Sequence, residues 1–413
     1  MDGLRLIEPR AYAEQGYPHA EWKALRGMPL SYFEPPGWQS FWAITKHADV
    51  IEVSRQPDRF LNGPGMTLIR KRDEAGQGSF MQMRTIINMD APDHRKYRKL
   101  ASPWFTPRAL GHLDPLVKAT ARELVDSLGS EGECDFVQKV ASLHPLKVIA
   151  RILGVPEADE PFILRITNEL FGAEDPEFQR SQDGLEHRRQ LGMEFFEYFS
   201  KVIEARRREP QDDLASVIAN ARVDGAPMGV METMGYCLIT FTAGHETTRG
   251  GIGGGMLALI ENPGERERLA QHPERMPLAV EELIRYVTPV NHMVRTATED
   301  YQLRGGRIRR GDKLMIFYAS ANRDEEVFEA PDALCLDRNP NLHLAFGVGE
   351  HFCLGAHLAR KTTGSLLHEL IPRLAHVELA GRPERTASNL VPGLKHLPIR
   401  YRIRPTSAPG PVP

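Results

Sequence analysis

One cysteine stands in a short stretch whose composition suits it to metal binding. The stretch reads Phe-Gly-Val-Gly-Glu-His-Phe-Cys-Leu-Gly over residues 346–355, and the periodicity of residues 356–370 predicts a helix directly after it. Free N–H groups and the dipole at a helix N-terminus favour a thiolate, the form of cysteine that binds soft metals. Its three glycines would let the backbone approach a flat partner. The stretch therefore predicts that Cys353 is a metal ligand rather than a thiol buried in a tight turn.

A carboxylate and two hydroxyl residues interrupt the longest apolar segment. Ala-Gly-His-Glu-Thr-Thr occupies residues 243–248 within a predicted helix over 228–261, which the following Asn-Pro ends. A glycine followed by hydroxyl residues loosens the backbone hydrogen bonds of a helix and leaves room for a small ligand. Because a carboxylate in an apolar helix is costly, Glu246 beside Thr247 is predicted to serve chemistry.

Two charge patterns accompany these segments. Glu282 and Arg285 lie three residues apart, where they can pair on one face of a helix. His94 and Arg98 lie four apart and share a helical face, where they are suited to neutralise a buried carboxylate.

These segments, in this order, resemble the motifs of the cytochrome P450 family. The cysteine stretch matches F-G-x-G-x-[H/R]-x-C-x-G at every specified position, and residues 243–248 match A-G-x-[D/E]-T-T. An E-x-x-R pair lies between them, and residues 90–98 match D-x-P-x-H-x-x-x-R. The resemblance implies a mainly α fold with small β-sheets, in which residues 1–404 form a single compact haem domain.

The resemblance also implies roles for individual residues. Cys353 would be the axial thiolate on the iron of haem b, a ligation that favours O–O bond cleavage. Thr247 would hydrogen-bond dioxygen, and Glu246 would relay protons from solvent. The residues expected to hold the haem or its propionates are His94, Arg98, Arg295, His351, Phe346, Gly355 and Ala243. The residues expected to form a folding network are Glu282, Arg285 and Arg338.

The activity implied by the resemblance is that of a monooxygenase, which reduces O2 with two electrons and hydroxylates a hydrophobic small molecule such as a terpenoid, a steroid or a fatty chain. No segment reads as a flavin domain or an iron–sulfur cluster, so electrons from NAD(P)H are expected to arrive through a separate ferredoxin and ferredoxin reductase. Arg95, Lys96 and Lys99 form either a solvated basic face or a docking site for an acidic electron carrier. Two alternatives stay open: a peroxide-driven peroxygenase, and a non-catalytic haem or ligand-binding sensor.

Mostly apolar positions near the motifs are the candidate substrate contacts, and ordinary core packing is the alternative for each of them. These candidates are Met66, Leu68, Met83, Ile87, Ile239, Thr242, Val290, Asn291, Leu390 and Val391.

Composition limits the partners and the location. With 52 Lys and Arg against 55 Asp and Glu, the chain has no net field that would hold nucleic acid or an anionic membrane. Its longest apolar stretch is shorter than the roughly 20 residues that cross a bilayer, and its N-terminus does not read as a secretory signal. A cytoplasmic location without a membrane span is therefore expected, and the Pro-rich residues 405–413 predict a disordered tail.

Five glycines between residues 250 and 255 put the regularity of the long helix in doubt. Each glycine disfavours a helix by about 1 kcal/mol relative to alanine. Close packing of a neighbouring helix is the expected reason for the run.

Overall fold

The computed structural model describes residues 2–63, 65–71, 83–179 and 184–404 of the chain. The tail predicted over 405–413 lies outside these residues.

Helices form most of the described structure, which confirms the predicted mainly α fold. The helix predicted over 356–370 is present with those bounds, and the long helix begins two residues later than predicted. In chain order the helices are α1 (Pro9–Gln15), α2 (His19–Arg26), α3 (His47–Ser54), α4 (Asp93–Ala101), α5 (Asp114–Ser127), α6 (Leu143–Ile152), α7 (Glu160–Phe171), α8 (Gly184–Arg208), α9 (Leu214–Ala219), α10 (Val230–Glu261), α11 (Pro263–Gln271), α12 (Met276–Val287), α13 (Tyr318–Ala321) and α14 (Ala356–Leu370).

The strands are short and fall into small, separate sheets. They are β1 (Ser31–Phe33), β2 (Phe41–Ile44), β3 (Phe60–Leu61), β4 (Glu131–Asp135), β5 (Arg222–Val223), β6 (Ala226–Pro227), β7 (His292–Ala297), β8 (Tyr301–Leu303), β9 (Gly306–Ile308), β10 (Lys313–Phe317), β11 (Leu374–Leu379), β12 (Glu384–Arg385), β13 (Leu394–His396) and β14 (Pro398–Ile403). A five-stranded sheet has the order β1-β2-β10-β7-β3, and a three-stranded sheet has the order β11-β14-β4. The remaining strands form the pairs β5-β6, β8-β9 and β12-β13.

Helix α10 is the central element of the fold. It is buried along most of its length and packs against α6, α12 and α14, among other helices. The glycine run stays helical, and it lies where other elements approach α10 closely. A Cβ added at Gly254 would lie 2.7 Å from a methyl carbon of Val287 on α12, and one at Gly253 would lie 3.3 Å from Val137. The expected close packing is therefore confirmed, and it explains why glycine is tolerated there.

No helix among the described residues is long and apolar enough to cross a membrane.

Candidate active site

The loop that carries Cys353 is fixed by backbone hydrogen bonds and by positive φ angles. The Cys353 N–H donates to the Phe346 carbonyl over 2.8 Å, which closes the loop on itself just before α14. Gly347 and Gly349 have φ angles of 69° and 81°, which side chains other than glycine rarely adopt. A Cβ at Gly349 would also lie 2.5 Å from the carbonyl oxygen of Ser54 on α3. Glycine is thus required for the loop to pack there.

The sulfur of Cys353 faces an internal cavity. Its side chain is exposed to that cavity, whereas protein atoms enclose it on the other sides. Burial raises the pKa of the thiol, while the Gly355 N–H and the guanidinium groups of Arg98 and Arg360 act in the opposite direction. A metal ion bound to the sulfur would add a positive charge that favours the thiolate.

A cluster of basic side chains lies at one edge of the cavity. Arg98, Arg295 and His351 line it, and the ring of His94 stacks on that of His351 with the centroids 4.0 Å apart. Arg98 donates to the Phe352 carbonyl over 2.6 Å. Burial, together with His94, Arg295 and Arg98, lowers the pKa of His351 to about 2. The structure thus brings the four predicted propionate ligands together at a place where an anion would be stabilised.

The wall formed by α10 carries the predicted oxygen-binding residues. Ala243, Gly244 and Thr247 line the cavity, and the Thr247 hydroxyl donates to the Ala243 carbonyl over 2.8 Å. A Cβ at Gly244 would lie 2.7 Å from the Ile149 side chain, so glycine permits the close approach of α6. Phe346 and Gly355, from the Cys353 loop, line the same cavity.

Glu246 lies one residue before Thr247 but outside the cavity wall. Its carboxylate is fully buried and forms an ion pair of 2.5 Å with Arg249, which in turn donates to the Asn168 side chain on α7 over 2.7 Å. The second carboxylate oxygen has no hydrogen-bond partner in the described part of the chain. Burial raises the pKa of Glu246, and Arg249 opposes that shift. As placed here, Glu246 does not contact the cavity, so a relay would require its side chain or a water molecule to bridge to Thr247.

The predicted folding network is present, with Glu282 and Arg285 fully buried and Arg338 partly buried. Arg285 binds both carboxylate oxygens of Glu282, over 2.7 and 2.8 Å, and Arg338 binds one of them over 3.1 Å. Arg285 also donates to the carbonyls of Asn322 and Pro331, so α12 is tied to the segment that precedes the Cys353 loop. The network lies away from the cavity wall, as expected for a folding role.

Only some of the candidate substrate contacts lie in the cavity wall. The residues that line it are Ile87, Ile239 and Val290, and those outside it are Met66, Leu68, Met83, Thr242, Asn291, Leu390 and Val391. The Thr242 hydroxyl donates to the Leu238 carbonyl within α10, on a face turned away from the cavity. The Asn291 amide donates to the Tyr12 hydroxyl and the Asn389 carbonyl instead. Met83, Leu68 and Val391 are buried in the core, so the packing alternative describes their positions.

Several wall residues were missed, although the sequence contains a signal for them. Thr240 and Gly251 line the cavity, and they follow the helical spacing that places Thr247 there. On β7, Met293 lines the cavity two residues before Arg295, as the alternation of a strand requires. Asn291 breaks that alternation because it precedes the strand.

The residues present fit a cysteine-ligated haem. A thiol at the cavity wall supplies a soft ligand, and Gly355 leaves open space where a Cβ would stand, with no atom within 4 Å of that position. His94 is buried, and its Nε2 has no hydrogen-bond partner among the described residues. A propionate carboxylate of the haem would supply that partner. Arg98 and Arg295 line the same edge of the cavity and can supply charge to the propionates.

Comparisons with known proteins agree with this site. The family model for cytochrome P450 matches residues 36–394. Three relatives align over at least 92% of both chains. The first, cytochrome P450-terp from Pseudomonas sp, is 37% identical over 96% of both chains. A steroid C26-monooxygenase from Mycolicibacterium smegmatis is 35% identical over 94% of this chain and 92% of its own. A linalool 8-monooxygenase from Pseudomonas putida is 34% identical over 97% of this chain and 99% of its own.

The fold is also shared with solved structures. The crystal structure of CYP108D1 from Novosphingobium aromaticivorans superposes with a TM-score of 0.88 at 38% identity, covering 97% of this chain and 98% of that one. The sequence, the fold and the cavity lead to the same assignment: the chain belongs to the cytochrome P450 family and is a P450 monooxygenase.

Proposed function

We propose that this P450 binds haem b through Cys353 and hydroxylates a hydrophobic small molecule of the terpenoid, steroid or fatty-chain classes. The observation that carries the proposal is one cavity that brings together the Cys353 thiol, the Arg98 and Arg295 edge, the Thr247 wall and an apolar lining. When bound, the haem supplies the redox-active iron at which dioxygen is reduced. The relatives named as a steroid C26-monooxygenase and a linalool 8-monooxygenase support the substrate classes.

The side chains of the cavity orient the substrate and exclude water. Ile87, Ile239 and Val290 present apolar surface, which favours binding of a hydrocarbon by removing it from water. Thr247 places a hydroxyl at the α10 wall, where rotation of the O–H away from the Ala243 carbonyl would let it donate a hydrogen bond to dioxygen. Glu246, held by Arg249 outside the cavity wall, is the buried carboxylate on α10 that could replace that proton once its side chain or a water molecule bridges to Thr247.

Electrons are proposed to come from NAD(P)H through a ferredoxin reductase and a ferredoxin that docks near Cys353. Phe352, next to the cysteine, is 40% exposed, and Lys99 is exposed on α4. Arg95 and Lys96 are also exposed, although each already pairs with a carboxylate, Arg95 with Glu350 and Lys96 with Asp224. An exposed aromatic ring with basic neighbours fits an acidic partner. The cytoplasmic location stays a prediction.

Two spectra test the proposal. The carbon monoxide difference spectrum of the reduced protein is expected to show the absorbance maximum of thiolate-ligated haem, and Cys353→Ser is expected to abolish it. A maximum typical of histidine-ligated haem would contradict the assignment of Cys353.

The substrate class is tested by titrating the haem spectrum with linalool, a 3-keto steroid and a long-chain fatty acid. At least one is expected to bind in the cavity and shift the haem absorbance spectrum. Ile239→Trp, which fills the cavity, is expected to weaken that binding by about tenfold or more, the effect of about 1.4 kcal/mol. Thr242→Ala, three residues along α10 but outside the cavity, is the matched control. Absence of a shift with all three compounds would contradict the proposed substrate classes.

A further inference from the structure

Glu350 and His94 form a partly buried contact that links the Cys353 loop to α4. His94 is 1% exposed, and its Nδ1 lies 3.2 Å from the Oε1 atom of Glu350. The Nε2 atom lies on the opposite edge of the ring. It is buried, and none of the described residues forms a hydrogen bond with it. Because buried polar atoms are nearly always paired, Nε2 requires a partner that these residues do not supply.

The carboxylate of Glu350 is held in place from its solvent side. Arg95 donates to Oε1 from Nε over 2.9 Å and to Oε2 from Nη2 over 3.2 Å. A two-pronged contact of this kind fixes the plane of a carboxylate. Arg95 and His94 are adjacent on α4, so the same helix donates to the Glu350 carboxylate from both residues. Glu350 occupies an unspecified position of the cysteine motif, so the motif itself predicts nothing about it.

The contact decides which ring atom of His94 carries the proton. An ionised carboxylate only accepts hydrogen bonds, so Nδ1 carries the hydrogen that points to Glu350. In a neutral ring Nε2 would then be an acceptor, and it would present a lone pair to a propionate oxygen. Only the doubly protonated ring donates at both nitrogens. A hydrogen bond from Nε2 to a propionate therefore requires His94 to carry a positive charge.

The charged groups around His94 oppose one another. Without haem the pKa of His94 is lowered, because burial and Arg98 together outweigh Glu350 and Asp90, and the negative charge of a bound propionate would act in the same direction as these two carboxylates. The ring of His351 lies against that of His94. If His351 were protonated, it would repel a positive charge on His94. Glu350 is the carboxylate that contacts His94 directly, so its removal is expected to leave the ring neutral.

We propose that Glu350 is a positioning residue for haem binding, which holds His94 with Nε2 toward a propionate and compensates the charge that His94 needs to donate there. The inference rests on the proposed haem and on His94 as a propionate ligand. Glu350 acts through His94 and does not touch the haem itself.

The rate of haem transfer from the purified holoprotein to excess apomyoglobin tests this role without measuring activity. Glu350→Gln is expected to release haem about tenfold faster or more at neutral pH, the change expected for loss of one charge-assisted hydrogen bond. In the native protein, release is expected to accelerate as rising pH removes the His94 proton. In Glu350→Gln that acceleration is expected at a lower pH.

Three variants separate this role from general damage to the loop. Arg95 contacts the same carboxylate from the solvent side. Arg95→Gln is expected to change the rate of haem release by no more than about twofold, because an exposed ion pair contributes little. Glu350→Asp keeps the charge and is expected to recover part of the native rate. In a His94→Asn background, Glu350→Gln is expected to have no further effect, because residues that act through one contact are not additive.

Two results would overturn the inference: a native rate of release in Glu350→Gln, or additive effects of Glu350→Gln and His94→Asn. Both presuppose that the protein binds haem. Purified protein that binds no haem would instead overturn the proposed function.

Discussion

The proton-donating role proposed for Thr247 can be tested directly by mutation. Its hydroxyl lines the cavity and donates to the Ala243 carbonyl, and rotation of the O–H away from that carbonyl would let it donate to dioxygen. We expect Thr247→Ala to slow product formation by about 10²-fold, at the lower end of contributions from positioned proton donors, while NAD(P)H oxidation continues.

The measurement is the ratio of product formed to NAD(P)H consumed, with the haem absorbance as a check on cofactor content. Thr242→Ala, whose hydroxyl bonds within α10 away from the cavity, is the control and is expected to keep the native ratio. An unchanged ratio in Thr247→Ala would contradict the role of Thr247 in proton delivery.

The ion pair between Glu246 and Arg249 affects the stability of the folded protein. Both side chains are buried, with exposed fractions of 0% and 1%, so removal of the arginine leaves a carboxylate without its counter-charge. We expect Arg249→Met to lower the free energy of unfolding by about 3–5 kcal/mol, measured by denaturant titration.

The double variant Glu246→Gln with Arg249→Met removes both charges and is expected to recover most of that loss, because no unpaired charge stays buried. A single variant as stable as the native protein would mean that Glu246 is already neutral in the folded state.

At the scale of elements, the glycines of α10 set how closely its neighbours approach. A Cβ at Gly254 would collide with the stiff, β-branched Val287 of α12, whereas a Cβ at Gly255 would make ordinary contacts of 3.7 Å with Leu283. We expect Gly254→Ala to destabilise the protein by about 1–3 kcal/mol through overpacking. Gly255→Ala, one residue along the same helix, is expected to be neutral or to stabilise by up to about 1 kcal/mol. Thermal unfolding of the two variants checks this, and equal effects would contradict it.

At the scale of the whole molecule, the charges nearly balance, with 52 basic against 55 acidic residues. Association with an electron carrier must therefore depend on a local patch rather than on a global field. We expect Lys99→Glu to slow reduction by an acidic ferredoxin about two- to fivefold at low salt, and the difference to vanish as salt screens the patch.

Lys201→Glu, an exposed lysine on α8 that already pairs with Glu197, is the control for the change in net charge. Stopped-flow reduction at several ionic strengths measures both variants. Equal slowing by the two would contradict a docking patch on α4.

The family, the bounds of α14, the Cys353 loop and the pairing of Glu282 with Arg285 could all be predicted from the amino-acid sequence. These rest on local patterns, because helix periodicity, loop glycines and i, i+3 spacing depend on residues close together in the chain. The tertiary structure decided which side chains reach the cavity. Thr242 and Asn291 turned away while Thr240 and Met293 turned inward, because the face of α10 and the first residue of β7 are set by packing.

Only the tertiary structure also paired Glu246 with Arg249 and Asn168, and His94 with Glu350. His94 and Glu350 are separated by 256 positions along the chain. A contact over such a separation has no local signature, since it depends on how α4 and the Cys353 loop pack against each other.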